Sequence, residues 1–255
     1  MRISYNTETL FEGRDILDVM QVLHAHDLNI IEFWSWEDKD LQAINRLRQE
    51  LGMEVASIVV KLATMLEPDQ RDEAVEGIRR SAEAARSLDC SRMVHTVGFV
   101  KEGMSREEMR QSLIDGLRAA IPALEEFGVT TCIEPLNTIT DKELSGYYLN
   151  TSQEAFDIVT EVNHPLVKVC YDMYHVQVME GNVLPRLQNN IRHVGHIQGA
   201  GAPRRHELFI SELNYDYVFD AIKQMDYDGY VGIEYFPIHD PIDDLVRIKE
   251  KFHTG

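Results

Sequence analysis

From end to end this chain alternates short β-branched runs with amphipathic helical runs, and the alternation repeats eight times. Strand-like stretches begin near Arg2, Asn29, Met53, Arg92, Val129, Val167, Ile191 and Tyr230. Helical periodicity covers roughly Arg14 to Ala25, Asp38 to Leu51, Asp69 to Leu88, Ser105 to Phe127, Ser152 to Val162, Val183 to Asn189, Tyr215 to Met225 and Ile242 to Lys251. Strands separated by helices lie parallel in one sheet. Eight such units predict a sheet closed on itself, a (β/α)8 TIM barrel, in preference to an open sheet. No GxGxxG follows an early strand, so a dinucleotide-binding open sheet lacks its usual sign. The 255 residues, 44% of them hydrophobic and spread along the whole length, suit a single domain over 1–255.

Asp and Glu number 43 against 25 Lys and Arg, a formal balance of -18. Such a surface repels polyanions, so nucleic acid and anionic membrane are excluded as partners and a small molecule is expected. The opening MRISYNTETLFEG has no apolar signal core, and no apolar stretch approaches the ~20 residues of a membrane span. The expected location is the cytoplasm, and the sequence is compatible with a homo-oligomer. Cys90, Cys132 and Cys170 are odd in number and lack CxxC spacing, so they read as core thiols.

Four metal-competent side chains stand at the ends of consecutive strand-like runs: Glu134 in VTTCIE, Asp172 in VKVCYD, Gln198 in VGHIQ and Glu234 in YVGIEY. In a barrel the C-terminal strand ends converge on one mouth, where active sites lie. Converging carboxylates repel unless a cation sits between them, and this oxygen-rich set suits Mg or Mn. The alternative for any single acid is helix capping or solvent exposure; four in succession are harder to explain that way.

Other side chains near the same mouth have two readings each. His196 shares a strand face with Gln198 and is either a further ligand or a hydrogen-bonded interior residue. His175 lies three residues after Asp172, as a substrate donor or a helix-start residue. His95, in VHTVG, either reaches the pocket rim or is packed. Arg205 and His206, in a charged group after the seventh strand, either grip a substrate carboxylate or belong to a solvated loop. Two long connections, Leu136 to Asn150 and Gly199 to Leu213, leave strands that carry quartet members and are candidate binding loops. Trp34 and Trp36 can wall the mouth from solvent.

The chemistry that fits is proton transfer beside a carbonyl. A cation on the carbonyl and adjacent hydroxyl oxygens would stabilise the developing enediolate. Glu134 and Glu234, facing across it, would take a proton from one carbon and return it to the next.

IEPLN, SGYYL followed by NTS, YDMYHVQ with MEGN, VGHIQ, RHE followed by ELNY, and DGYVGIEY with Pro237 together resemble the hydroxypyruvate isomerase family of the xylose-isomerase-like barrels. The likeness covers most of Glu134 to Pro237; before residue 128 it is confined to layout and to segments such as IIEFW and VHTVG. The resemblance implies a divalent cation on Glu134, Asp172, Gln198 and Glu234, with Glu134 and Glu234 exchanging the proton. It also implies substrate contacts from His175, Arg205 and His206, and interconversion of hydroxypyruvate with tartronate semialdehyde. Relatives isomerise or epimerise other small sugars, so a ketose 3-epimerase is the alternative. A barrel endonuclease would require further metals, more His ligands and a basic groove; a non-catalytic sugar-binding barrel would not need two opposed glutamates. Two departures bear on the substrate: Phe236 stands where the family often has Lys, which favours a less anionic compound, and LFIS follows RHE.

Overall fold

The computed structural model describes residues 1–61 and 64–252. Its strands are β1 (Arg2–Asn6), β2 (Ile30–Phe33), β3 (Glu54–Val59), β4 (Arg92–His95), β5 (Thr130–Ile133), β6 (Val167–Asp172), β7 (Val194–Gly199) and β8 (Tyr230–Ile233). They pair in parallel in chain order and close, with Ile3 of β1 opposite Val231 of β8 and Tyr5 opposite Ile233. The barrel is the expected one.

The surrounding helices among the described residues are α1 (Thr7–Leu10), α2 (Ile16–Ala25), α3 (Leu41–Leu51), α4 (Arg71–Ser87), α5 (Arg106–Phe127), α6 (Ser152–Val162), α7 (Met173–Met179), α8 (Val183–Asn190), α9 (Tyr215–Lys223) and α10 (Pro241–Phe252). Local chemistry sets several of their ends. Ser105 and Glu108 form a capping box at the start of α5, satisfying two otherwise orphaned amides. Gly52 and Gly128 close α3 and α5 in the left-handed region, at φ 66° and 64°, where a Cβ would be strained.

Two differences from the sequence reading touch the site. β7 starts at Val194 because Ile191–His193 form a 3-10 turn. Helix α7 lies outside the helical runs read from periodicity, although a helix start near His175 was one reading: it begins directly after β6, with no polar loop to announce it, and Asp172 is both strand end and N-cap.

The main core fills the space between strands and helices, where alternate residues such as Ile31, Ile58, Met93, Ile197 and Ile233 are fully buried. A smaller apolar plug of Val94, Cys132 and Cys170 forms a separate cluster, with Val59 against it. Gln198 touches this plug through Cys170 and carries the contact on to Glu32 and His196. The three cysteines are buried and unbridged, and burial pushes Cys90 and Cys132 up to about 12, so they are inert thiols as expected.

Candidate active site

The quartet converges. Glu134 directly follows β5, Asp172 ends β6, Gln198 lies within β7 and Glu234 directly follows β8. Glu134, Gln198 and Glu234 line one cavity of about 360 Å³ together with Trp34 and Arg205. One ligand-competent atom each of Glu134, Asp172 and His175 lie within 4.8 Å of one another. Part of the loop after β5 also walls the cavity, through Leu136, Asp141, Glu143 and Leu144.

Asp172 divides its two oxygens between structure and site. Oδ1 accepts from the Tyr174 amide at 2.7 Å, which is the capping role, while Oδ2 is buried without a hydrogen bond, its neighbour His175 Nε2 standing 3.5 Å away. Glu134 Oε1 is likewise buried and unpartnered. An orphaned carboxylate oxygen inside a barrel is costly unless something positive completes it.

His175 stands in the group, and its tautomer decides what it can do. Its Nδ1 accepts from the Asn137 backbone N–H at 3.0 Å and faces Asn137 Nδ2 at 2.8 Å. The Asn137 amide oxygen accepts from Thr140, so its nitrogen end must be the one aimed at the ring. Nδ1 is therefore an acceptor, and Nε2 carries the hydrogen. Burial and the nearby Arg205 hold the ring well below its ordinary pKa, so it is neutral. A protonated Nε2 has no lone pair for a metal, but it can donate, either to Asp172 Oδ2 at 3.5 Å or to a bound molecule.

Glu234 is held differently. Its Oε2 pairs with Arg205 at 3.2 Å, and Oε1 accepts from the Trp34 indole and, at 3.3 Å, from Asn6 Nδ2. Arg205 is in the left-handed region at φ 58°, and its guanidinium lies within 6 Å of the Trp34, Tyr174 and Phe236 rings. Rings around a cation stabilise it. This gives a physical reason for Phe236 in place of a lysine, which would repel Arg205 at such range. The Phe236 backbone also straps the loop: its N–H donates to Arg205 O at 2.8 Å and its carbonyl accepts from His206 Nδ1 at 2.7 Å.

Burial pushes the carboxyls of Glu134, Asp172 and Glu234 upward. For Glu134 the neighbouring charges of Glu234 and Asp172 add to it. Arg205 opposes the rise at all three and is the one cation among the described residues lining the cavity. Glu134, Asp172 and Glu234 share one guanidinium, and Asp141 and Glu143 also line the cavity, so its acids outnumber its cation, as a cation site requires. The two orphaned oxygens and the Gln198 amide give a divalent cation oxygen ligands, so the residues present fit it.

Two of the candidate contacts lie away from the described cavity lining. His95 does not reach the pocket rim: its strand neighbours Val94 and Thr96 line the cavity, so alternation turns the imidazole to the other face, with Nδ1 3.3 Å from Thr131 Oγ1. His206 is engaged with Phe236 and is absent from the described cavity lining, so it shapes the loop that carries Arg205. His196 is engaged with Glu32, its Nε2 2.9 Å from Glu32 Oε2.

Glu32 was missed by sequence reasoning as a functional residue. It is fully buried, accepting from Ser4 Oγ at 2.8 Å and Gln198 Nε2 at 2.9 Å besides His196, and His196 with these donors holds it below the usual carboxylate range against the cost of burial. The available signal was a charge inside an otherwise apolar run, IIEFW. Gly232 makes its room: a Cβ there would stand 2.5 Å from Glu32 Oε1. Gly232→Ala must displace a carboxylate fixed on three sides, and overpacking of this kind costs ~1–3 kcal/mol. Thermal unfolding is expected to shift down by ~2–12 °C; an unchanged midpoint would show that Glu32 yields freely.

Residues 17–251 match the family described as xylose isomerase-like TIM barrel. The chain is 32% identical to a hydroxypyruvate isomerase of Escherichia coli strain K12 over 245 residues, 93% of this chain and 94% of that one. It is 38% identical over 160 residues to a 2-oxo-tetronate isomerase of Cupriavidus necator, a match that spans 63% of this chain and 60% of the relative. Among solved structures, a protein titled AP endonuclease, family 2, from Brucella melitensis superposes with TM-score 0.90 at 26% identity, covering 99% of both chains. A 3-keto-D-glucoside 4-epimerase from E. coli shares the fold, with TM-score 0.83 at 19% identity over 98% and 99% of the two chains. With a closed eight-stranded barrel and a carboxylate-rich mouth already in place, this chain belongs to the xylose isomerase-like TIM barrel family, on its hydroxypyruvate isomerase branch.

Proposed function

We propose that the protein is a cytoplasmic, divalent-metal-dependent isomerase of a small hydroxy-carbonyl acid, with hydroxypyruvate as the leading substrate. The observation that carries this reading is the pair of buried oxygens without hydrogen bonds, Glu134 Oε1 and Asp172 Oδ2, at an acid-rich cavity whose described lining holds one cation. Glu134, Asp172, Gln198 and Glu234 would hold the ion. When bound, it would offset negative charge developing on the substrate oxygens.

The rest follows from the chain's own groups. Glu134 has a buried oxygen free of hydrogen bonds and a carboxyl pushed upward, which suits it to take and hold a proton. Glu234 lines the same cavity and can exchange a proton on the neighbouring carbon. The reaction conserves electrons within the substrate: a C–H proton leaves the hydroxyl-bearing carbon, a proton returns to the former carbonyl carbon, and the hydroxyl proton passes to the former carbonyl oxygen. His175 can donate Nε2–H to a substrate oxygen. Arg205, partly drawn off by Glu234, supplies the cation for a substrate carboxylate.

The charge-preserving substitution Arg205→Lys loses the planar fork and its seat among three rings. KM for an acid substrate is expected to rise roughly 10-fold or more, in line with ~1.5–3 kcal/mol for a charged hydrogen bond, with a smaller effect on kcat. An unchanged KM would remove Arg205 from substrate binding.

The name of the C. necator relative favours a second acid, the four-carbon 2-oxo-tetronate, as substrate. An endonuclease reading has less support: among the described residues one group of three metal-competent His, Cys, Asp and Glu side chains is found. The deciding experiment is turnover by Mn-loaded protein on hydroxypyruvate, 2-oxo-tetronate, D-psicose and abasic DNA. Selective isomerisation of the acids supports the proposal; activity confined to a neutral ketose or to DNA overturns it.

A further inference from the structure

Gln198 has an amide with two chemically different ends of nearly the same shape, and only its oxygen can bind a cation. In the structure Nε2 donates to Glu32 Oε1 at 2.9 Å, while Oε1 accepts from the Cys170 thiol at 3.0 Å. A thiol is a weak donor, and an amide oxygen has two lone pairs, so that contact leaves Oε1 with capacity to spare. An ionised carboxylate only accepts. Turning the amide over would set its oxygen against Glu32 Oε1 at hydrogen-bond range, two acceptors with no hydrogen between them in a fully buried place.

We propose that Glu32 is a positioning residue for the cation site: it fixes the orientation of the Gln198 amide so that the oxygen is always the end left for the metal. Ser4 and His196 hold the carboxylate in turn, at 2.8 Å and 2.9 Å, and Gly232 leaves the space it occupies. Glu32 thus reaches the ion through one side chain, Gln198. The inference rests on the metal-dependent reading above, and it assigns a function to Glu32, a buried carboxylate that neither the quartet nor the proton-transfer scheme uses.

The test is a double-mutant cycle read as Mn2+ affinity by calorimetry, without substrate. Glu32→Gln preserves shape but lets either amide end face it, and affinity is expected to fall ~10–100-fold, the usual effect of losing an outer-sphere partner. In a Gln198→Ala background the same Glu32→Gln change is expected to alter affinity less than ~2-fold, because nothing is left to orient. A loss of equal size in both backgrounds would mean that Glu32 acts only as a distant negative charge, and would overturn the proposal. So would an unchanged affinity in the single variant. Should Glu32→Gln fail to fold, as judged by near-ultraviolet circular dichroism, the wild-type protein supplies the measurement: the Gln198 side-chain NH2 resonances, identified by their loss in Gln198→Leu, are expected to be protected from exchange with and without Mg2+. Free exchange of these protons, or their release on adding Mg2+, overturns the proposal. Wild-type protein that binds no Mn2+ defeats the metal reading itself, a different outcome from metal bound with Glu32 irrelevant.

Discussion

Glu134→Gln and Glu234→Gln are each expected to lower kcat by ~10²-fold or more while the divalent cation stays bound. The amide keeps an oxygen for the ion but cannot take up a proton at neutral pH. At Glu134 nothing else is lost, because Oε1 has no hydrogen-bond partner. At Glu234 the variant also weakens the pairing with Arg205 and the acceptor for Trp34, so KM is expected to change there as well. The same enzyme in deuterium oxide should place solvent deuterium on the product carbon, since a proton resting on a carboxylate exchanges with water. A near-normal kcat in both variants, or a product without solvent label, would reject proton transfer by these two glutamates even if isomerisation itself were established.

Removal of the cation is expected to abolish turnover, with Mn2+ or Mg2+ restoring it. Asp172→Ala is expected to weaken metal binding by more than the ~10–100-fold that loss of an outer-sphere partner causes. Asp172 carries two duties, because Oδ1 caps α7 and Oδ2 is left for the site. The Ala variant therefore loses a cap worth ~1 kcal/mol as well as a ligand. Asp172→Asn separates them: it retains an oxygen for the cap, so it should regain most of the stability while remaining deficient in metal. Full turnover by exhaustively chelated protein would contradict the assignment of the quartet as a metal centre.

Much of this architecture was legible in the sequence for a definite reason. Strand periodicity of two and helix periodicity of 3.6 report which faces are buried, and eight repeats of the pair leave few ways to close a sheet. The positions of Glu134, Asp172, Gln198 and Glu234 followed from strand ends alone, and the structure brings Glu134, Gln198 and Glu234 to one cavity, with Asp172 joined to it through Glu134. The extent of helix α7 was hidden because no turn residues separate it from β6, and the choice between the two readings of His95 was open because one residue of strand register turns a side chain from the pocket to the opposite face.

Sequence alone determined the barrel, the strand-end acids and the excess of negative charge, since these depend on local pattern and count. Only the tertiary structure decided which way each hydrogen bond runs: Asn137 onto His175 Nδ1, Arg205 onto Glu234, Glu32 beneath Gln198. Those partners lie 38, 29 and 166 positions apart in the chain. No local periodicity couples residues at such separations, so protonation, tautomer and amide orientation became readable only when the barrel closed and placed them within ångströms of one another.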